Sequence, residues 1–231
     1  LRKGDSAEFA LNAASAPIPF VPGLNLAGFA MRGSANRQEM TVSTFNGRVY
    51  DGVISGNARI GWSGGWSVAG DVAAKQINAA VFAPVLISEG KLDANGRYAL
   101  SGADPARLGP DGMLEGRFTI TKGAIGFVDI VRMIQSPSSK IRVRTVFNEL
   151  AGRGVYNKGA IELRDIRMTA GVLNANAVLD IDAAGGLKGR MNAELKSAAT
   201  SRGALSIGIG GNLADPQKSR HSRDWARAAP I

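Results

Sequence analysis

Apolar and polar residues alternate with a period of two along most of the chain, the pattern of strands that bury one face. Leu92, Ala94, Tyr98 and Leu100 occupy one parity, and Asp93, Asn95, Arg97 and Ser101 the other. Leu114, Phe118 and Ile120 stand opposite Glu115 and Arg117 in the same way. Ala175, Ala177, Leu179 and Ile181 alternate with Asn174, Asn176, Asp180 and Asp182. Met191, Ala193 and Leu195 alternate with Arg190, Asn192, Glu194 and Lys196, and Leu205, Ile207 and Ile209 with Ser206, Gly208 and Gly210. Turn signals separate these runs: Ser63-Gly64-Gly65, Asn95-Gly96, Asp111-Gly112, Asn157-Lys158-Gly159 and Gly185-Gly186. The spacing predicts an antiparallel meander of about a dozen strands.

Two stretches break the alternation. Residues 77–86 and 127–135 (FVDIVRMIQ) carry apolar residues at mixed three and four spacing, and each is followed by Ser, Gly or Pro. They predict two short helices, each set between strands, so that strand, short helix, strand recurs as a weak repeat. The expected fold is therefore mainly β: an extended, twisted antiparallel sheet forming a groove or half-barrel, with two short helices. Two short helices cannot cover a dozen strands. Either the sheet folds onto itself as a sandwich, or part of its apolar face stays open for an apolar ligand. On the second alternative, Leu92, Tyr98, Leu100, Leu114, Phe118, Ile120, Leu179, Ile181, Leu205, Ile207 and Ile209 are the groove candidates, because alternation puts each set on one side of its strand. An acyl chain there would gain about 0.8 kcal/mol per methylene buried.

Composition narrows the partners. Of 231 residues, 45% are hydrophobic, enough for a core, while 30 glycines fit a fold of many turns and bulges. The net charge of +9 favours anionic partners. Arg142 and Arg144 are candidates for gripping lipid head groups, with Lys218, Arg220, Arg223 and Arg227 as further cations. A solvated edge that discourages sheet-to-sheet pairing is the plainer alternative. Nucleic acid is not expected, since neither interleaved aromatics nor a recognition helix is visible.

The proline-bearing opening, residues 1–28, reads as a linker or edge segment, 29–216 as the β-rich domain, and 217–231 as a basic tail. The longest apolar run, Ala79 to Ile87, falls far short of the roughly 18–20 residues of a membrane span. With Leu1 in place of a start methionine and no signal peptide after it, targeting or anchoring segments are expected outside this sequence.

Enzyme chemistry finds little support. Gly61-Trp62-Ser63-Gly64-Gly65 is formally G-x-S-x-G, but Trp66, Val68 and Val72 continue as a strand, where a nucleophile elbow requires a helix. The sole imidazole, His221, lies in the expected tail. Asp180 and Asp182 sit two apart on one strand face, as outward charges commonly do. With one His and no Cys, neither a metal site nor a cofactor is expected. Trp62 and Trp66 read as a cross-strand pair flanking the turn.

Five segments together resemble the C-terminal region of the AsmA family. FNGRVYDGVISGNARI (45–60) resembles its Gly-rich turn and strand, and INAAVFAPVLISEGKLDANGRYALSG (77–102) its short helix and Gly-Lys-Leu strand. FVDIVRMI followed by RTVFNELAG (144–152) resembles the Thr-x-Phe-x-x-Leu-x-Gly element. NKGAIELRDIRMTAGVLNANAVLDID (157–182) resembles paired strands about a Gly turn, and GNLADP (211–216) the closing motif. The resemblance implies a periplasmic portion of a Gram-negative envelope protein, anchored in the inner membrane by a segment absent here. It also implies a groove that carries phospholipid or another acyl-chain lipid between the membranes, and contact with the membrane surface. A non-catalytic scaffold for outer-membrane protein assembly, recruiting an envelope protein partner, is the alternative.

Overall fold

The computed structural model describes residues 6–17, 24–105, 108–109, 111–135, 144–196 and 201–221. Thirteen strands follow one another: β1 (Ala7–Pro17), β2 (Asn25–Ala35), β3 (Glu39–Val49), β4 (Gly52–Gly61), β5 (Trp66–Asn78), β6 (Ile87–Gly102) and β7 (Met113–Ile125) make the first half. The second half is β8 (Thr145–Asn157), β9 (Ala160–Ala170), β10 (Leu173–Ile181), β11 (Leu187–Lys196), β12 (Ser201–Gly211) and β13 (Pro216–His221). Each pairs antiparallel with the next, giving one open, unclosed sheet in sequence order. Measured along the sheet, thirteen strands at about 4.8 Å spacing span roughly 58 Å.

The two predicted helices are not found as drawn. Over 77–86 there is only a 3-10 turn, Ala79–Val81, with Ile77 and Asn78 still in β5. The Asn78 side chain accepts from the Ala80 amide at 3.1 Å, and Pro84 then blocks extension into an α-helix. Over 127–135 the helix shrinks to the six residues α1 (Ile130–Gln135), capped by Asp129, which accepts from the Arg132 amide at 2.9 Å.

Asn95-Gly96 is not a turn either; both residues lie in the middle of β6. The glycine belongs to a register row that crosses the sheet: Gly56↔Val72↔Gly96↔Gly116↔Gly154. A Cβ on Gly96 would come 2.4 Å from the Glu115 carbonyl oxygen, one on Gly116 would come 2.3 Å from that of Asn95, and one on Gly56 would come 2.1 Å from that of Asp71. At these three glycines the neighbouring backbone leaves no room for a side chain, and such close approaches mark places where a sheet can bend. Gln76, Lys122 and Asp165, all at positive φ, interrupt β5, β7 and β9 and add local twist.

The other turn signals are turns. Lys158-Gly159, both left-handed, closes the β8–β9 hairpin, and the Tyr50-Asp51 pair closes β3–β4 in the same way. The expected boundary at 28/29 falls inside β2. The expected tail begins as strand β13, paired with β12, up to His221; residues 222–231, with Arg223 and Arg227, lie outside the described residues.

Three apolar clusters stabilise the sheet. The largest joins Ile120, Phe147, Leu150, Met168, Leu173 and Ile207 with α1 and the segment before it. A second centres on Val42, Ala58, Val68 and Leu108, and a third on Leu26, Val49 and Ile77.

Candidate functional site

The groove candidates share one face. Register links Leu92 to Ile120, and from there Leu150, Met168, Ala175, Ala193 and Leu205 follow across successive strands. A second row runs Tyr98↔Leu114↔Tyr156↔Ile161↔Ile181↔Leu187. Leu179 joins Ile209 through Gly189, and Ile207 pairs with Met191. Leu100 pairs with Val68, and Phe118 with Ala94.

Their environments differ. Ile120, Leu179, Ile181, Leu205, Ile207 and Ile209 are buried in the large cluster, whereas Leu92, Tyr98, Leu100 and Phe118 are half-buried and Leu114 is 39% exposed. The cause is what lies above them. Helix α1 reaches across to β11 and β12, and its first residue Ile130, with Val128 just before it, is almost fully buried. A separate cover, Leu108 of the β6–β7 connection, sits on Val42, Ala58 and Val68. The two covers come from opposite ends of β7. Between them lie the glycine row and the adjoining row Ile54↔Ala74↔Ala94↔Phe118↔Gly152.

The helix cover is pinned by one buried hydroxyl. Thr145 Oγ donates to the Val128 carbonyl at 2.7 Å and accepts from the Ile130 amide at 2.9 Å. This explains the Thr-x-Phe-x-x-Leu-x-Gly spacing of 145–152. Thr145 holds α1, Phe147 lies over Gly123, Leu150 enters the core, and Gly152 leaves room for the Phe118 ring. Closing GNLADP is likewise structural: Asn212 Oδ1 accepts from the Ala214 and Asp215 amides, each at 2.9 Å, and Leu213 docks on the β10–β11 turn through Gly185.

Aromatic rings bridge the bends. Phe45 faces Gly56, Phe118 faces Gly152, and the Tyr98 hydroxyl lies over Gly70. That hydroxyl donates to the Asn57 carbonyl at 2.8 Å. Burial, reinforced by the charge of Asp71, pushes its pKa up to about 12.

Of the head-group candidates, Arg144 is exposed and pairs with Glu89 at 2.5 Å, and Arg142 lies outside the described residues. Lys218 and Arg220 occupy β13 positions opposite Ile209 and Ile207. Ser63 lies in the tight turn between β4 and β5, a strand-to-strand connection. Beside it Trp62 Nε1 donates to the Arg37 carbonyl at 2.8 Å, and the Trp62 and Trp66 rings stand 6.1 Å apart. Asp180 pairs with Arg164 at 2.5 Å, while Asp182 accepts from the Ala184 and Gly186 amides of its own turn. Among the described residues, no group of three His, Cys, Asp or Glu could hold a metal ion, and no helix is long and apolar enough to cross a membrane.

Pattern reading missed the apolar contributions of β8 and β9, because both strands change phase. Phe147 and Leu150 are three apart, as are Leu163 and Ile166, the latter across the bulge at Asp165. No family model, curated protein or solved structure matches the chain.

Proposed function

We propose that this chain is the periplasmic β-rich part of an AsmA-like envelope protein, and that it holds the acyl chains of phospholipid in a groove on its apolar face. One observation carries the reading: the stretch between the α1 cover and the Leu108 cover has apolar side chains at Leu92, Phe118 and Leu114 that stay partly open to solvent. The track runs across the strands, over the glycine row. Its open part lies on β6 and β7, since the continuation of the face on β10 to β12 is buried. Apolar contact without polar specificity suits carriage of lipid rather than its chemical conversion. The proposed setting, between an inner-membrane anchor and the outer membrane, follows from the sequence motifs.

Native mass spectrometry of the purified chain tests this. Co-purified phospholipid, displaced by added fatty acid, is the expected result; a chain free of lipid that also takes up none from vesicles would defeat the proposal. A second reading, a scaffold for outer-membrane protein assembly, is favoured by strand β1. Its outer edge pairs with no strand among the described residues, and over eleven residues its only charge is Glu8. That reading predicts a stable protein partner that survives removal of lipid.

A further inference from the structure

The opposite, polar face carries an arrangement the apolar track does not use. Arg117 of β7, Arg153 of β8 and Arg164 of β9 stand directly opposite one another in register. Like charges placed opposite in an antiparallel pair repel, and the sheet accepts this twice in succession. The neighbouring row on the same face does the reverse at its start, with Asp71 opposite Arg97 and Arg97 opposite Glu115. The arginine row lines a concavity of about 900 Å3 that spans β4 to β9.

Local geometry organises the row. The extra residue of the β9 bulge is Asp165, held at a φ of 51° that L side chains rarely adopt. Its carboxylate takes both Nε and Nη2 of Arg153, which fixes that guanidinium. Arg164 is held by Glu162 at 3.0 Å and Asp180 at 2.5 Å, and also donates to the Leu163 carbonyl at 3.1 Å. Arg117 has no ion-pair partner among the described residues. An uncompensated guanidinium, Arg117, therefore stands at the end of a row whose next two members are positioned, and the fork of arginine matches phosphate oxygens in pairs. Carboxylates of the neighbouring row, Asp71 and Glu115, suit hydroxyl groups and would repel a second phosphate nearby.

We infer that this concavity binds a phosphorylated sugar or polyol, its phosphate on Arg117 and Arg153 and its hydroxyls toward the carboxylates, either free or as the head group of a lipid. The site stands whether or not the apolar face carries lipid.

Calorimetric titration of the full 231-residue chain with glucose 1-phosphate, beside glucose and inorganic phosphate, tests the free ligand. Sedimentation with phosphatidylcholine vesicles, with and without phosphatidylinositol 4-phosphate, tests the head group. Saturable binding of glucose 1-phosphate, absent for glucose and weakened at least tenfold in Arg117→Gln, supports a free ligand. Binding confined to the phosphoinositide vesicles and weakened equally by Arg117→Gln supports a head group. Arg153→Lys keeps the charge but loses the fork, and should weaken either by a similar factor. Arg117 is exposed and unpaired, so its variant should melt no lower than the parent. No saturable binding in either arm overturns the inference. So does binding that neither variant changes, or that Arg144→Gln, away from the concavity, weakens as much as Arg117→Gln.

Discussion

At the scale of single residues, glycine is the informative type. Gly96 and Gly116 share a row where the next strand's backbone approaches too closely for any Cβ, so their role is to let the sheet bend. Gly96→Ala should therefore cost about 2–3 kcal/mol in chemical denaturation, since the atoms it meets are backbone and cannot step aside. Gly64, with nothing within 4 Å of its missing Cβ, is the control, and Gly64→Ala should fall within about 0.5 kcal/mol of the parent. The sequence offered a signal against reading Asn95-Gly96 as a turn: Leu92, Ala94, Tyr98 and Leu100 stay in phase straight through it. Tyr98 supplies a test by pH. Its pKa is raised from 10.0 to about 12, so the folded state favours the neutral phenol. The resulting stability is complete below pH 10 and is lost as pH climbs towards 12. Melting the parent beside Tyr98→Phe should show the difference between them shrinking over that window. A gap that stays constant from pH 9 to 12 would mean that the phenol does not titrate as its burial implies.

At the scale of elements, strands were legible and helices were not. Alternation identified β6, β7 and β10 to β12, because each keeps one face inward over the stretch that alternates, 92–101 in β6 and 114–120 in β7. The 77–86 stretch has apolar residues at helical spacing, yet they serve the end of β5, a 3-10 turn and the connection to β6, since Pro84 and the Asn78 cap leave no room for a longer helix. Phase changes hid β8 and β9: Asp165 inserts an extra residue, and a single-period reading cannot follow the faces across it. The short helix α1 depends on tertiary support, being too brief to persist alone. Thr145 provides that support through two hydrogen bonds in a buried setting. Thr145→Val keeps the shape and removes both, leaving the Ile130 amide and Val128 carbonyl without these partners. The expected loss is about 2–4 kcal/mol, accompanied by increased binding of a hydrophobic dye if α1 lifts from β11 and β12. Unchanged dye binding and stability would show that α1 is held by its apolar contacts alone.

At the scale of the whole molecule, the question is how much of a 13-stranded sheet's apolar face is core and how much is site. Membership of that face was readable from parity; its degree of cover was not, because cover depends on where two connections fold back. Leu108 and α1 come from the ends of β7, and nothing in their local sequence states which strands they reach. The division can be measured with aspartate. Ile207 is 2% exposed beneath α1, so Ile207→Asp places an unpaired carboxylate in a packed interior and should cost several kcal/mol, enough to unfold the domain. Leu114, at 39% exposure, should accept aspartate with a loss near 1 kcal/mol, while Phe118, half-buried over Gly152, falls between them. On the groove reading, Leu114→Asp and Phe118→Asp remain folded and lose vesicle-to-vesicle lipid transfer, because a charge now sits on the acyl track. On the closed-core reading, Phe118→Asp melts as Ile207→Asp does. Thermal melting of the three variants beside a fluorescent-lipid transfer assay separates these outcomes. Folded Leu114→Asp and Phe118→Asp proteins with undiminished transfer would remove the acyl track from this face altogether.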